Sequence, residues 1–188
     1  MSITTATVDS AGYKIMQFKS RKSSRLKEYD YSLQGAYSIT ICTKDRKQIL
    51  SKINVGTGVL DCPEIQLYKY GIIADKYINQ LNNFYDNISV EKYVIMPNHI
   101  HLLIRILDLN GQSGTPVPTN AHIDNKNSVL AKFVSTFKRF CNKEYGLNIW
   151  QARYYDHVIR GEQDFKDTME YIENNPIKWE TDDLIIER

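Results

Sequence analysis

The sequence predicts an α+β fold: a ferredoxin-like antiparallel sheet in the order β-α-β-β-α-β, with one additional C-terminal helix. Three observations predict it. Short runs of branched and aromatic residues recur at residues 37–41, 90–96, 99–106 and 154–160. Two segments with helical spacing of apolar residues, 72–85 and 128–145, separate them in the right places. A third, 163–174, follows the last strand. At 188 residues the chain is long enough for one domain with a real core.

Taken in order, the first thirty residues are polar and basic without clear periodicity, and residues 1–24 read as a basic N-terminal extension. Tyr37, Ile39 and Ile41 alternate with Ser38 and Thr40, which makes a strand. Residues 44–64 carry polar, Gly and Pro signals around short apolar pieces and read as a loop or hairpin; 65–70 is a candidate short strand. Ile73, Tyr77, Leu81 and Phe84 form the apolar side of the first helix, which stops near Asn87. The strands 90–96 and 99–106 are joined by so tight a link that they must run antiparallel. Residues 108–127, rich in Asn, Gly, Thr and Pro, form a long surface loop. Val129, Leu130, Phe133, Val134, Phe137 and Cys141 stripe the second helix, and Gly146 terminates it. Phe165, Met169 and Ile172 are the buried side of the last helix, with Pro176 ending it by disfavouring helical geometry at Asn175. The core domain spans 25–179, and an acidic tail with Glu180, Asp182, Asp183 and Glu187 occupies 180–188.

Composition narrows the function classes. The chain is 42% hydrophobic and 24% charged, ordinary for a globular protein. No run approaches the ~20 apolar residues of a membrane span, and the first residues lack the pattern of a secretory signal, so a cytoplasmic location with no membrane partner is expected. Cys42, Cys62 and Cys141 are odd in number and widely spaced, which suits buried thiols and not a disulfide framework or zinc finger. The net charge is only +2, but Lys14, Lys19, Arg21, Lys22, Arg25 and Lys27 fall in a stretch without one acid. Lys132, Lys138, Arg139 and Lys143 recur on the second helix. Basic clusters among tyrosines suit a nucleic-acid backbone, or simply a solvated face.

The chemistry-bearing segment is Met96-Pro97-Asn98-His99-Ile100-His101-Leu102-Leu103-Ile104. On a strand, residues i and i+2 point the same way. His99 and His101 therefore leave one face together, as a pair of ligands for a divalent metal, while Ile100, Leu102, Ile104 and Ile106 enter a core. Tyr171 and Asn175 are four apart near the end of the last helix, so they share a face. If that helix passes the histidine face, Asn175 becomes a third ligand and the Tyr171 phenol approaches whatever the metal holds. That grouping fits phosphodiester cleavage by a tyrosine nucleophile. Each piece alone has an ordinary explanation in packing or surface placement; their coincidence does not.

The strand from Tyr93 through Ile104 resembles the His-hydrophobe-His signature of the HUH single-tyrosine transposases. Three more segments resemble the REP-associated tyrosine transposases, a largely domesticated bacterial branch. They are Tyr29-Asp30-Tyr31-Ser32 followed by Gly35 through Asp45; Trp150-Gln151 with Tyr154-Tyr155-Asp156-His157-Val158-Ile159-Arg160; and Tyr171-Ile172-Glu173-Asn174-Asn175-Pro176-Ile177-Lys178-Trp179. The resemblance implies that Tyr171 is the nucleophile, that His99, His101 and Asn175 hold Mg²⁺ or Mn²⁺, and that the partner is single-stranded or hairpin DNA. Asn175 stands where mobile members commonly carry Gln. It also implies either a monomer or a homodimer that exchanges the tyrosine helix. Lys138 and Arg139 are candidates to grip the hairpin backbone, with Arg21, Lys22, Arg25, Trp150, Gln151, Arg153 and Arg160 as further DNA contacts. Tyr154 and Tyr155 are candidates to stack on bases or, equally, to pack in the sheet. His157 lies outside the metal motif. Two other readings compete: a domesticated hairpin-binding module without productive cleavage, and a Zn²⁺ hydrolase, which needs a third strong ligand absent from the nearby spacing.

Overall fold

The computed structural model describes residues 7–8, 14–15, 29, 31, 33–54, 63–107 and 128–179. The proposed loop 108–127, the acidic tail 180–188 and the candidates Arg21, Lys22 and Arg25 lie outside the described residues. The elements are β1 (Gly35–Cys42), β2 (Ser51–Asn54), β3 (Glu64–Leu67), α1 (Lys69–Phe84), β4 (Ile88–Ile95), β5 (His99–Ile106), α2 (Val129–Tyr145), β6 (Tyr155–Val158) and α3 (Glu162–Asn174). A separate two-residue ladder pairs Thr7–Val8 with Lys14–Ile15.

The central sheet has four strands in the order β4-β5-β1-β6. All its neighbours are antiparallel. With the β2–β3 hairpin set aside, the chain follows the expected β-α-β-β-α-β path and then adds α3. β5 sits between β1 and β4, with a bulge between Val90 and Lys92 on β4. Ladders on both sides fix which way each β5 side chain points, because a slip by one residue would reverse every one of them.

The two faces are covered differently. Ile39, Ile41, Ile100, Leu102, Ile104 and Ile106 meet Ala74, Ile78 and Leu81 of α1 and Leu130, Phe133, Val134, Phe137 and Cys141 of α2. α3 covers the other face, where Ile172 and Trp179 bury a smaller cluster with Ala36, Val94, Met96 and Leu103. Phe165 and Met169 are half-buried against that cluster.

Local chemistry explains the boundaries. Ser128 caps α2, its Oγ accepting from Ala131 N at 3.2 Å. Gly146 closes α2 in the left-handed region at φ 73°, as its position predicts. The first helix departs from expectation. It begins at Lys69, and the strand before it stops at Leu67, with Tyr68 N still donating to Leu50 O at 2.8 Å in the register of the β2–β3 ladder. Gly71 then passes so close to Leu50 that a Cβ there would sit 2.1 Å from its carbonyl oxygen. The buried stripe consists of Ile73, Ala74, Ile78 and Leu81. Phe84, expected inside, is 74% exposed and stacks edge-on with Tyr85 instead. Tyr77 is half-buried against the core.

Candidate active site on the histidine face

His99 and His101 leave β5 on the α3 side and are almost wholly buried. Their Nε2 atoms lie 3.0 Å apart. Each ring is held from behind. Asn98 Oδ1 is 2.7 Å from His99 Nδ1, and Thr40 Oγ1 is 2.9 Å from His101 Nδ1. An amide oxygen only accepts, so His99 carries its proton on Nδ1 and turns a lone pair outward at Nε2. Thr40 can donate or accept. In the metal-free chain it donates to His101 Nδ1, and His101 Nε2–H donates to His99 Nε2. With the other tautomer it accepts from Nδ1–H and frees the second Nε2 lone pair.

Burial pushes both imidazoles toward the neutral form. His99 is lowered to about 2 by burial first, then by His101 and by the charge of Arg46. His101 is lowered to about 4 by burial. Neutral rings are what a metal needs.

α3 crosses this face. Tyr171 Oη lies 3.5 Å from His101 Nε2, with the rings edge-to-face and their centroids 5.2 Å apart. Tyr171 as a whole residue is 46% exposed. Asn175 is buried and interacts with His99 through its side chain, while its Oδ1 has no hydrogen-bond partner. The expectation that Pro176 breaks helical geometry at Asn175 is not met, since Asn175 keeps φ −58° and ψ −40°. The chain continues through turn bonds to Trp179, whose ring centroid lies 6.1 Å from that of His99. Burial of Asn175 and Trp179 against the sheet outweighs the local preference before proline.

The donor set fits a divalent cation: two neutral Nε2 atoms facing one point and an orphaned buried amide oxygen. Among the described residues no Asp, Glu or Cys joins them to make a larger ligand group. The third strong ligand of a zinc hydrolase is therefore missing there.

The expected DNA contacts divide. Trp150 is a core residue, 2% exposed with its ring 5.4 Å from that of Phe137, so it has no face for a base. Tyr154 is likewise buried. Lys138 does not reach outward. Its ammonium donates to the carbonyl oxygens of Gln151, Ala152 and Arg153 at 2.8, 3.4 and 3.2 Å, and burial lowers its pKa to about 8. With three donors committed, it holds the approach to β6 and has none left for a phosphate. Gln151 is half-buried and its backbone N donates to Cys42 O at 2.9 Å. Arg139, Arg153, Tyr155 and Arg160 are exposed. Tyr155 pairs with Thr40, which pairs with His101, so all three stand in one row across the sheet. His157 is exposed, with its Nε2 3.1 Å from Asp164 Oδ1. Sequence reading missed Thr40 and Asn98. Asn98 had a local signal, the amide directly before His99 in a tight link; Thr40 had none, being 61 residues from its partner.

No protein-family model matches the chain. An uncharacterized protein of Haemophilus influenzae is 30% identical over 176 residues, covering 89% of this chain and 94% of the relative. A second protein of that organism, named "Putative REP-associated tyrosine transposase", is 32% identical over 120 residues, covering 54% of this chain and 60% of the relative. Among solved structures, a REP-associated tyrosine transposase bound to a REP hairpin is similar in fold at TM-score 0.53 and 18% identity, over 82% of this chain and 74% of its own. The chain is thus similar in sequence to a protein of that name over part of its length, and it shares an α+β fold with a solved transposase of the same name.

Proposed function

We propose that the protein is a metal-dependent single-stranded DNA endonuclease and strand transferase that works through a 5′-phosphotyrosine on REP-like hairpin DNA. The observation that carries this reading is the approach of Tyr171 Oη to 3.5 Å from His101 Nε2 on the face where Asn175 meets His99. The REP hairpin held by the solved transposase supports the substrate class.

His99, His101 and Asn175 would hold Mg²⁺ or Mn²⁺, which supplies a Lewis acid for a non-bridging phosphate oxygen. Asn98 and Thr40 orient the two imidazoles. In this reading the Tyr171 oxygen, carried by α3, attacks phosphorus. The Oη–P bond forms, the bond from phosphorus to the 3′ oxygen breaks, the phenolic proton passes to water and the 3′ oxygen takes one up. Because Tyr171 is half exposed, water reaches it for that exchange. The phosphotyrosine conserves the bond energy, so the step reverses onto another 3′ end.

The test is a labelled hairpin oligonucleotide, drawn from palindromic repeats flanking the gene, incubated with Mn²⁺ and run on a denaturing gel. A covalent adduct that disappears in Tyr171→Phe is expected. Equal cleavage by the Phe variant would remove Tyr171 from the role. Tight hairpin binding with no adduct under Mg²⁺ or Mn²⁺ would leave a binding module.

A further inference from the structure

Arg46 is not part of the metal and tyrosine constellation, yet the fold brings it there. β1 ends opposite His99, since Cys42 pairs with that histidine. The next residue, Thr43, donates from its backbone N to Asn98 O at 2.9 Å, and its Oγ1 lies 3.0 Å from the same oxygen. The turn Lys44–Arg46 is thus tied to the residue that orients His99. Within it, Asp45 and Arg46 both adopt left-handed backbone, at φ 56° and 54°. Two successive non-glycine residues in that region are unfavourable and persist only where the surroundings hold them. Arg46 Nη1 is shielded from solvent and has no hydrogen-bond partner. Its charge is felt at His99, and no carboxylate joins the histidine pair among the described residues.

A shielded guanidinium donor without a partner is costly, and a cation beside a metal site repels the metal. One occupant relieves both costs: an anion between them. We propose that Arg46 is a phosphate-binding residue of this site, its guanidinium pairing with the phosphodiester that Tyr171 attacks. This rests on the strand-transfer reading. It makes metal and phosphodiester binding mutually reinforcing, and it adds a fixed positive charge where negative charge develops in the transition state.

The experiment uses the full chain, Mn²⁺ and dimethyl phosphate as the probe. Mn²⁺ binding is followed by calorimetry, and dimethyl phosphate binding by ³¹P relaxation from protein-held Mn²⁺. Arg46→Gln should bind Mn²⁺ alone as well as wild type or better, while its affinity for dimethyl phosphate falls about tenfold. Arg46→Lys should recover part of that loss. Unchanged dimethyl phosphate binding in Arg46→Gln, or a wild type that holds Mn²⁺ without relaxing the probe, overturns the Arg46 role alone. Loss of both ligands in Arg46→Gln shows a packing role and overturns it too. A wild type that binds Mn²⁺ no better than His101→Ala overturns the strand-transfer reading, and this proposal with it.

Discussion

The two faces of the central sheet are built from the same strand and do opposite things. Ile100, Leu102, Ile104 and Ile106 of β5 enter an apolar core under α1 and α2. His99 and His101, interleaved with them, enter a face on which apolar burial is smaller and buried polar groups accumulate. The first face holds the fold together. The second spends some of that stability on two neutral histidines and an orphaned amide oxygen. Rigidity supplied by one face is what allows the other to keep costly groups at fixed distances.

The contrast can be broken at its strongest point. Phe137 is 1% exposed and packs on Trp150, so Phe137→Ala should destabilise the protein by about 3–5 kcal/mol in urea unfolding. A loss below about 1 kcal/mol would deny the α1–α2 face its structural role.

Next comes acid. The folded pKa values of His99 and His101, about 2 and 4, lie below the ordinary value of 6.5. As pH falls below 6.5 the unfolded chain takes up protons before the folded one does. Their contribution is fully present above 6.5 and is lost as pH falls toward 4 for His101 and on toward 2 for His99. The slope should be about 1.4 kcal/mol per pH unit for each ring. Urea titrations of the metal-free protein from pH 6.5 to 4 should show it, and His99→Gln/His101→Gln should flatten it. Identical slopes in both proteins would refute the buried neutral pair.

A smaller effect probes the support behind the rings. Thr40→Val removes the hydroxyl 2.9 Å from His101 Nδ1. Mn²⁺ affinity, measured by calorimetry, should fall roughly 10- to 100-fold, with the melting temperature little changed. An unaltered affinity would show that Thr40 does not position the ring.

The smallest stability effect accompanies the largest functional one. Tyr171 is 46% exposed, so Tyr171→Phe should shift unfolding free energy by no more than about 0.5 kcal/mol while abolishing the DNA adduct. A strongly destabilised Phe variant would make Tyr171 a packing residue of the second face.

Some of this is legible in the amino-acid sequence. β5 runs over the expected residues 99–106, and its alternation separates the two histidines from the core in the expected sense. The α2 cap and its glycine stop are local, and they fall where Ser128 and Gly146 indicate. The candidate DNA contacts show where legibility ends. Trp150, Tyr154 and Lys138 have the residue types of a DNA-binding surface, yet two are core and the third has its donors committed inward. Residue type states what a side chain can do, and only packing decides which side of the molecule it meets. Asn175 shows the same limit, since its helical backbone before proline depends on burial that no local rule contains.

By itself, the sequence determined the elements, their order and the pairing of His99 with His101 on one strand face. Backbone geometry and apolar periodicity act over a few residues, so they can be read directly. Only the tertiary structure decided that α3 crosses that face. It alone brought Tyr171, 70 residues from His101, to 3.5 Å. It alone set Thr40 behind His101 and brought the charge of Arg46 within reach of His99. Those contacts depend on strand register and on which face each helix buries, and both are settled by the whole core at once.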